Sequence, residues 1–168
     1  MLILGVDPGL AIVGWGVLSY DKNQFTPVAF GSVTTPAHTP TEERLEIIFH
    51  DLNQIIEQYK PECMSIEELF FTNNVTTGIR VAEARGVVLL SAKMHDVPIY
   101  EYTPGQVKQA VVGYGKAEKH QVIDMVTRIL KLKNPPKPDD TADALALAIC
   151  HGHSFNSKLA SFFNTPEG

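Results

Sequence analysis

Apolar and polar positions change period several times along the chain, and each change marks an element. An almost unbroken apolar run from Leu2 to Val6 reads as a buried strand, turned by Asp7, Pro8 and Gly9. The stretches AIVGWGVLSY and FTPVAFGSVTT that follow read as second and third strands of an antiparallel meander. From Thr41 the period lengthens to that of a helix. Leu45, Ile48, Leu52, Ile55 and Ile56 share one face, Thr41 stands where a cap is expected, glutamates fill the first turn, and Pro61 stops the run. CMSIEELFF returns to a strand. NNVTTGIRVAEARGVVLLSAKMHD is helical, with Val81, Ala84, Val88 and Leu89 on one side, and VPIYEYT is a short last strand. Helices are expected from about Pro104 to Val112 and from about Ala117 to Leu132. After the breaker KNPPKP comes a final one, DDTADALALAICHGH.

A meander continued by helical crossovers implies an α/β chain. Its sheet should be mixed and five-stranded, with helices on both faces and the later strands parallel to the first. No repeat or linker divides it. One domain is expected over 1–153, followed by a polar tail over 154–168 that should fray.

At 168 residues the chain is long enough for a sizeable single core. No apolar run reaches membrane-spanning length, and the N-terminal run lacks a basic flank and is broken at Asp7 and Pro8, so a cytoplasmic protein is expected. Cys63 and Cys150 sit in apolar settings without metal spacing and read as buried thiols. His151 and His153 read as complements to a helix C-terminus. The formal net charge of −5 argues against a nucleic-acid partner in sum but not in distribution. Between Gln106 and Pro138 lie Lys108, Lys116, Lys119, Arg128, Lys131, Lys133 and Lys137, against only Glu118 and Asp124. A run like this also fits a solvated helix face.

Four acids occupy positions that an ordinary core would not choose. Asp7 ends the first strand, Glu67 lies near the end of the fourth, and Asp140 and Asp143 open the last helix one turn apart. If strands one and four are parallel neighbours, Asp7 and Glu67 emerge at the same end of the sheet, and the last helix need only cross that end. Singly, each has a plainer reading: Asp7 as the start of an Asx turn, Glu68 in place of Glu67 as the functional acid, Asp139 or Asp140 as a helix cap. Together they form a repulsive cluster that a hard cation, Mg²⁺ or Mn²⁺, would neutralise, and two such ions can activate water against a phosphodiester. No Walker loop, nucleophile elbow or zinc-binding helix competes with that reading.

The co-linear set GVDPG…GWGV, SIEELFFTNNV, EARGVVL, EYTPGQVKQAVVGYGKAEKHQV and DDTADALALAICH resembles the bacterial RuvC Holliday junction resolvases over nearly the whole chain. The resemblance implies an RNase H-like fold, a homodimer, two Mg²⁺ per active site, and paired incision of a four-way DNA junction in recombination and repair. It also implies a branch-migration helicase as a further partner. It places the four catalytic and metal-binding acids at Asp7, Glu67, Asp140 and Asp143, DNA-binding lysines at Lys108 and Lys119, and a junction-facing aromatic at Phe70. For the homodimer it points to the helix from about Asn74 to Met94, whose Ala82, Ala84, Gly86 and Ala92 permit close approach. Period-2 alternation through Phe70 and Phe71 separately expects one of these rings to leave the core.

Other classes remain to be weighed. An actin-like kinase begins with a similar strand and DPG turn but needs a duplicated second half. A non-catalytic junction-binding protein, or a nuclease of the same superfamily with another nucleic-acid substrate, would share the fold. Retention of all four acids favours the junction-cutting enzyme over the scaffold.

Overall fold

The structure is a computed structural model in which residues 1–69 and 75–155 are described. Its strands are β1 (Leu2–Asp7), β2 (Ile12–Asp21), β3 (Gln24–Thr34), β4 (Cys63–Glu67) and β5 (Ile99–Tyr102). They form one sheet in the order β3-β2-β1-β4-β5. β1, β2 and β3 pair antiparallel, while β4 runs parallel to β1 and β5 parallel to β4. Helices cover both faces, as the mixed pattern of strands and crossovers predicts. α1 (Thr41–Tyr59) and α2 (Val75–Met94) lie on one face; α3 (Pro104–Val112), α4 (Lys119–Ile129) and α5 (Asp139–Phe155) lie on the other.

Strand alternation sorts the sheet's side chains between two cores. Leu4, Val6, Met64 and Ile66 point to the α1/α2 layer with Ile48, Leu52, Ala84 and Val88. Ile3 and Cys63 point to the α3/α4/α5 layer with Leu145 and Ile149. Asp7 and Glu67 keep the parity of Ile3 and Cys63, so both carboxylates leave their strands toward α5.

α5 approaches the sheet closely because two strand residues lack a side chain. A Cβ on Gly5 would overlap the Ala144 carbonyl oxygen, and one on Gly14 would overlap the Asp140 carbonyl. Two hydrogen bonds, one buried and one partly buried, set the helix's height and rotation. The Ser65 hydroxyl donates to the Leu147 carbonyl at 2.7 Å, and the Thr141 hydroxyl donates to the Gly31 carbonyl at 3.1 Å. Ala144 and Ala148, one turn apart and both fully buried, complete the fit.

Several sequence expectations shift on inspection. Thr41 is the first helical residue of α1, with Pro40 at the capping position and no side-chain cap. α4 begins at Lys119 and ends at Ile129, shorter than its apolar pattern. Ala84 and Ala92 of α2 are fully buried in the chain's own core and cannot meet a partner. The outward side of α2 instead carries Ile79, Leu90 and Met94, each more than half exposed. His151 is not at a solvated helix end but is fully buried, 2.8 Å from the Tyr102 hydroxyl through Nδ1. α5 extends through residues 154 and 155, which the sequence assigned to the tail.

The close seat of α5 has a measurable consequence. Gly5→Ala forces the helix off the sheet, and overpacking of this kind costs about 2 kcal/mol or more. A thermal melt should show Tm lowered by roughly 4–8 °C; an unchanged Tm would mean that α5 does not rest on β1.

Candidate active site

At the C-terminal ends of β1 and β4, Asp7 and Glu67 stand on adjacent parallel strands, one position beyond the paired Val6 and Ile66. The first turn of α5 crosses this end and adds Asp140 and Asp143. A concavity of about 230 Å³ holds Asp7, Glu67, Asp143, Lys108 and Lys119, walled by Pro104, Val107, Val122 and Leu147. Asp140 lies on the other side of the same helix turn, in a separate concavity that also admits Arg44 and Arg80.

The electrostatics show how closely the carboxylates are crowded. Burial, then the charges of Asp143, Glu67 and Asp140, push the Asp7 carboxyl up to about 8, with only Lys119 opposing. Glu67 is also raised, by burial and by Asp143, while Lys108 and Lys119 pull it back. Asp143 is raised by burial against the hydrogen bond and charge of Lys119. Asp139 does not figure among the charges acting on Asp7. Its side chain is 60% exposed and sits 3.6 Å from the Lys119 ammonium. This separates the two neighbours: the charge of Asp140 acts on the Asp7 carboxyl, while Asp139 lies exposed beside Lys119. Glu68 is exposed and exerts no charge effect on Asp7, whereas Glu67 does, although both line a shallow concavity beside Asp7.

The two lysines arrive by different routes. α3 is started by a reciprocal capping box, in which the Gln106 amide donates to Thr103 Oγ1 and the Thr103 amide to Gln106 Oε1, with Pro104 in the first turn. That start holds Lys108 over the concavity. Lys119 is the first residue of α4, where the helix dipole disfavours a cation. Its compensation is local: Nζ lies 3.1 Å from Asp143 Oδ2, and although burial opposes the charge, Asp143, Asp139 and Asp140 hold the ammonium above its ordinary pKa. The other five cations of the basic run are absent from the concavity and face solvent or lie on outer helix surfaces. Phe70 and Phe71 lie outside the described residues.

No three acids, histidines or cysteines among the described residues form a ready-made coordination cage. The donor set still fits a hard ion. Mg²⁺ keeps several waters and takes only one or two carboxylates beside a phosphate, and crowded carboxylates with a raised proton affinity are what a divalent cation would relieve.

Sequence reasoning missed the cations of the α1/α2 layer. Arg85 Nε donates to the Glu67 carbonyl at 3.4 Å, and its guanidinium pairs with Glu101 on β5, tying the end of β4 to its neighbour. Arg44 and Arg80, far apart in the chain and from different helices, carried no spacing signal.

The sequence pattern of the crossover junction endodeoxyribonuclease RuvC family matches residues 3–151. The chain is a member of the RuvC family. It is 54% identical over 156 residues to the RuvC crossover junction endodeoxyribonuclease of Alkaliphilus oremlandii, covering 93% of this chain and 95% of that one. To the Brevibacillus brevis protein of the same name it is 50% identical over all 168 residues, 98% of that relative. A solved RuvC of Thermus thermophilus, in complex with a Holliday junction substrate, superposes with a TM-score of 0.86 at 36% identity, over 91% of this chain and 93% of that one. The yeast mitochondrial Holliday junction resolvase shares the fold, with a TM-score of 0.62 at 13% identity over 90% of this chain and 78% of that one. This RuvC chain therefore has the RNase H-like fold of the resolvases. Among the described residues, none of its helices is long and apolar enough to cross a membrane.

The raised Asp7 gives a pH-dependent test in metal-free buffer. A carboxyl held higher in the folded than in the unfolded state contributes stability below about pH 4 that is lost as pH rises through about 8. Asp7→Asn removes the charge that causes the loss. Its Tm should exceed that of the parent chain by about 2–4 °C at pH 9, with the gap closing toward pH 4. Equal melting curves across that range would mean that the carboxylates are not crowded.

Proposed function

We propose that the chain cuts four-way DNA junctions by paired, metal-dependent hydrolysis of phosphodiesters, with Asp7, Glu67, Asp140 and Asp143 as the metal-holding acids. One observation carries this reading. Three separate elements deliver four carboxylates to one end of the sheet, where burial and then their mutual repulsion push Asp7 up to about 8, and two lysines from α3 and α4 face them. An ordinary fold gains nothing from that arrangement; a phosphodiesterase needs it.

Bound Mg²⁺ supplies charge neutralisation at the phosphate and lowers the pKa of the attacking water. The chain's own residues do the rest. Asp7 and Glu67 project from rigid strand ends, so their separation is set by the β1/β4 pairing. Asp140 and Asp143 bring the helix side of the ion shell. Lys119 neutralises Asp143, and were Asp143 to hold a cation instead, the ammonium would be available to a phosphate oxygen. Lys108, held at the α3 side, meets the same strand and balances charge as it develops. Phe70, following β4, is assigned to stacking on a base at the crossover.

Paired incision requires two such sites in one particle, and a second copy of the chain supplies it under two-fold symmetry. The exposed Ile79, Leu90 and Met94 of α2 form an apolar stripe suited to that interface. Leu90→Glu should convert a dimer into a monomer by light scattering and replace paired cuts with single nicks. A monomeric parent chain that still makes paired cuts would overturn the assignment.

The reaction itself is tested on a synthetic four-way junction with and without Mg²⁺. Asp7→Asn and Glu67→Gln should fold, bind the junction and lose cutting by at least about a thousandfold. Lys119→Ala and Lys108→Ala should each flatten the salt dependence of binding by about one counterion. One of them, Lys108 by its place at the end of β5, should also lose roughly ten- to a thousandfold in single-turnover rate at saturating protein. Undiminished cutting by Asp7→Asn would sink the ligand assignment.

A further inference from the structure

Beside Asp140, and sharing no lining residue with the concavity of Lys108 and Lys119, lies a second depression of about 330 Å³. Its lining includes Gly9, Leu10, Ala11 and Ile12 after β1, with Arg44 from α1 and Arg80 from α2. Arg44 is held in place. Its Nε donates to Thr35 Oγ1 at 2.7 Å, and that buried hydroxyl donates to the Leu10 carbonyl at 2.6 Å. The Nε edge of the guanidinium is thereby anchored, through Thr35, to the Leu10 backbone. Among the described residues neither Arg44 nor Arg80 forms an ion pair, although Asp140 lines the same depression.

Two arginines in one concavity without a carboxylate partner present planar, permanently charged donor sets, the chemistry suited to a phosphate. A small free anion is a poor occupant, because the four acids nearby repel it. A polyanion held at several points is a good one. Lys108 and Lys119 rise from the α3/α4 layer and Arg44 and Arg80 from the α1/α2 layer, so cation pairs flank the acid-bearing end of the sheet from both faces. We infer that Arg44 and Arg80 bind a backbone phosphate of the cleaved strand on the Asp140 side of the scissile bond, and so extend the DNA path across the sheet end. The inference rests on the junction-cutting function proposed above and adds a second anchoring point to it. Clamped on both sides, the strand cannot slide along the acids, which fixes the phosphate that meets them.

The test uses the full chain, a labelled four-way junction and metal-free buffer at several salt concentrations. Arg80→Gln, at an exposed position, should weaken binding about tenfold and lower the salt slope by about one. Arg44→Gln should do the same, with its Tm recorded because it also loses the Thr35 bond; if it fails to fold, Arg80→Gln alone decides. Lys93→Gln, at the far end of α2 and paired with Asp96, should leave the slope unchanged. Single methylphosphonates placed along the cleaved strand then locate the contact. One neutralised phosphate should weaken the parent chain and cost Arg80→Gln nothing further, the signature of a direct pair. A parental slope and affinity in both arginine variants, or equal penalties from every methylphosphonate in parent and variant, would overturn the inference and leave the function standing. A parent chain that shows no preference for the junction over duplex DNA would overturn the function and this inference together.

Discussion

Everything at the acid-bearing end of the sheet depends on how closely α5 lies on β1 and β2. The Ala144 carbonyl occupies the space that a side chain on Gly5 would need, and the Asp140 carbonyl does the same at Gly14. A helix packed at ordinary distance would carry Asp140 and Asp143 away from Asp7, and the mutual repulsion that marks the site would fade with distance. Ser65 and Thr141 lock the helix at that height, each hydroxyl donating to a backbone carbonyl across the sheet–helix contact. The packing of the core and the assembly of the site are thus one event, and each alanine of α5's inner face serves both.

Charge is arranged around that contact with an economy that the net value of −5 conceals. The acids face one another, and cations are brought to their margins by both helical layers. Lys119 tolerates a poor position at a helix start because Asp143 and Asp139 compensate it. Arg85 is committed to Glu101 and the end of β4, and Arg44 to Thr35, so their backbones of contact are structural even where their remaining donors face outward.

Much of this was legible in the sequence for identifiable reasons. The strand and helix periods are strong, and a meander followed by crossovers leaves few topologies, so the parallel pairing of β1 and β4 could be anticipated, and with it the meeting of Asp7 and Glu67. The choice between Asp139 and Asp140 could not be made from periodicity, since both fall in one turn; the rotation of α5, set by contacts with Gly14 and Gly31, leaves Asp139 exposed beside Lys119 and brings the charge of Asp140 to bear on Asp7. Ala84 and Ala92 were misread as partner-facing because a small side chain suits a buried seam and an interface equally. Arg44 and Arg80 left no trace, because nothing local in a chain reports that two helices will share a depression. Phe70 lies beyond the described residues and stays an assignment by family resemblance.

The order of the acids along the chain has a consequence for biosynthesis. Asp7 leaves the ribosome among the first residues, Glu67 near the middle, and Asp140 and Asp143 near the end. The nascent sheet can pair its early strands while α5 is still being made, but two of the four carboxylates and the inner layer of the core arrive only with that helix. A chain stalled or truncated before residue 139 therefore lacks both half of its carboxylates and the apolar mass needed to hold the remainder in register. The cluster of carboxylates exists only once the fold is finished, so its assembly reports completion of the chain.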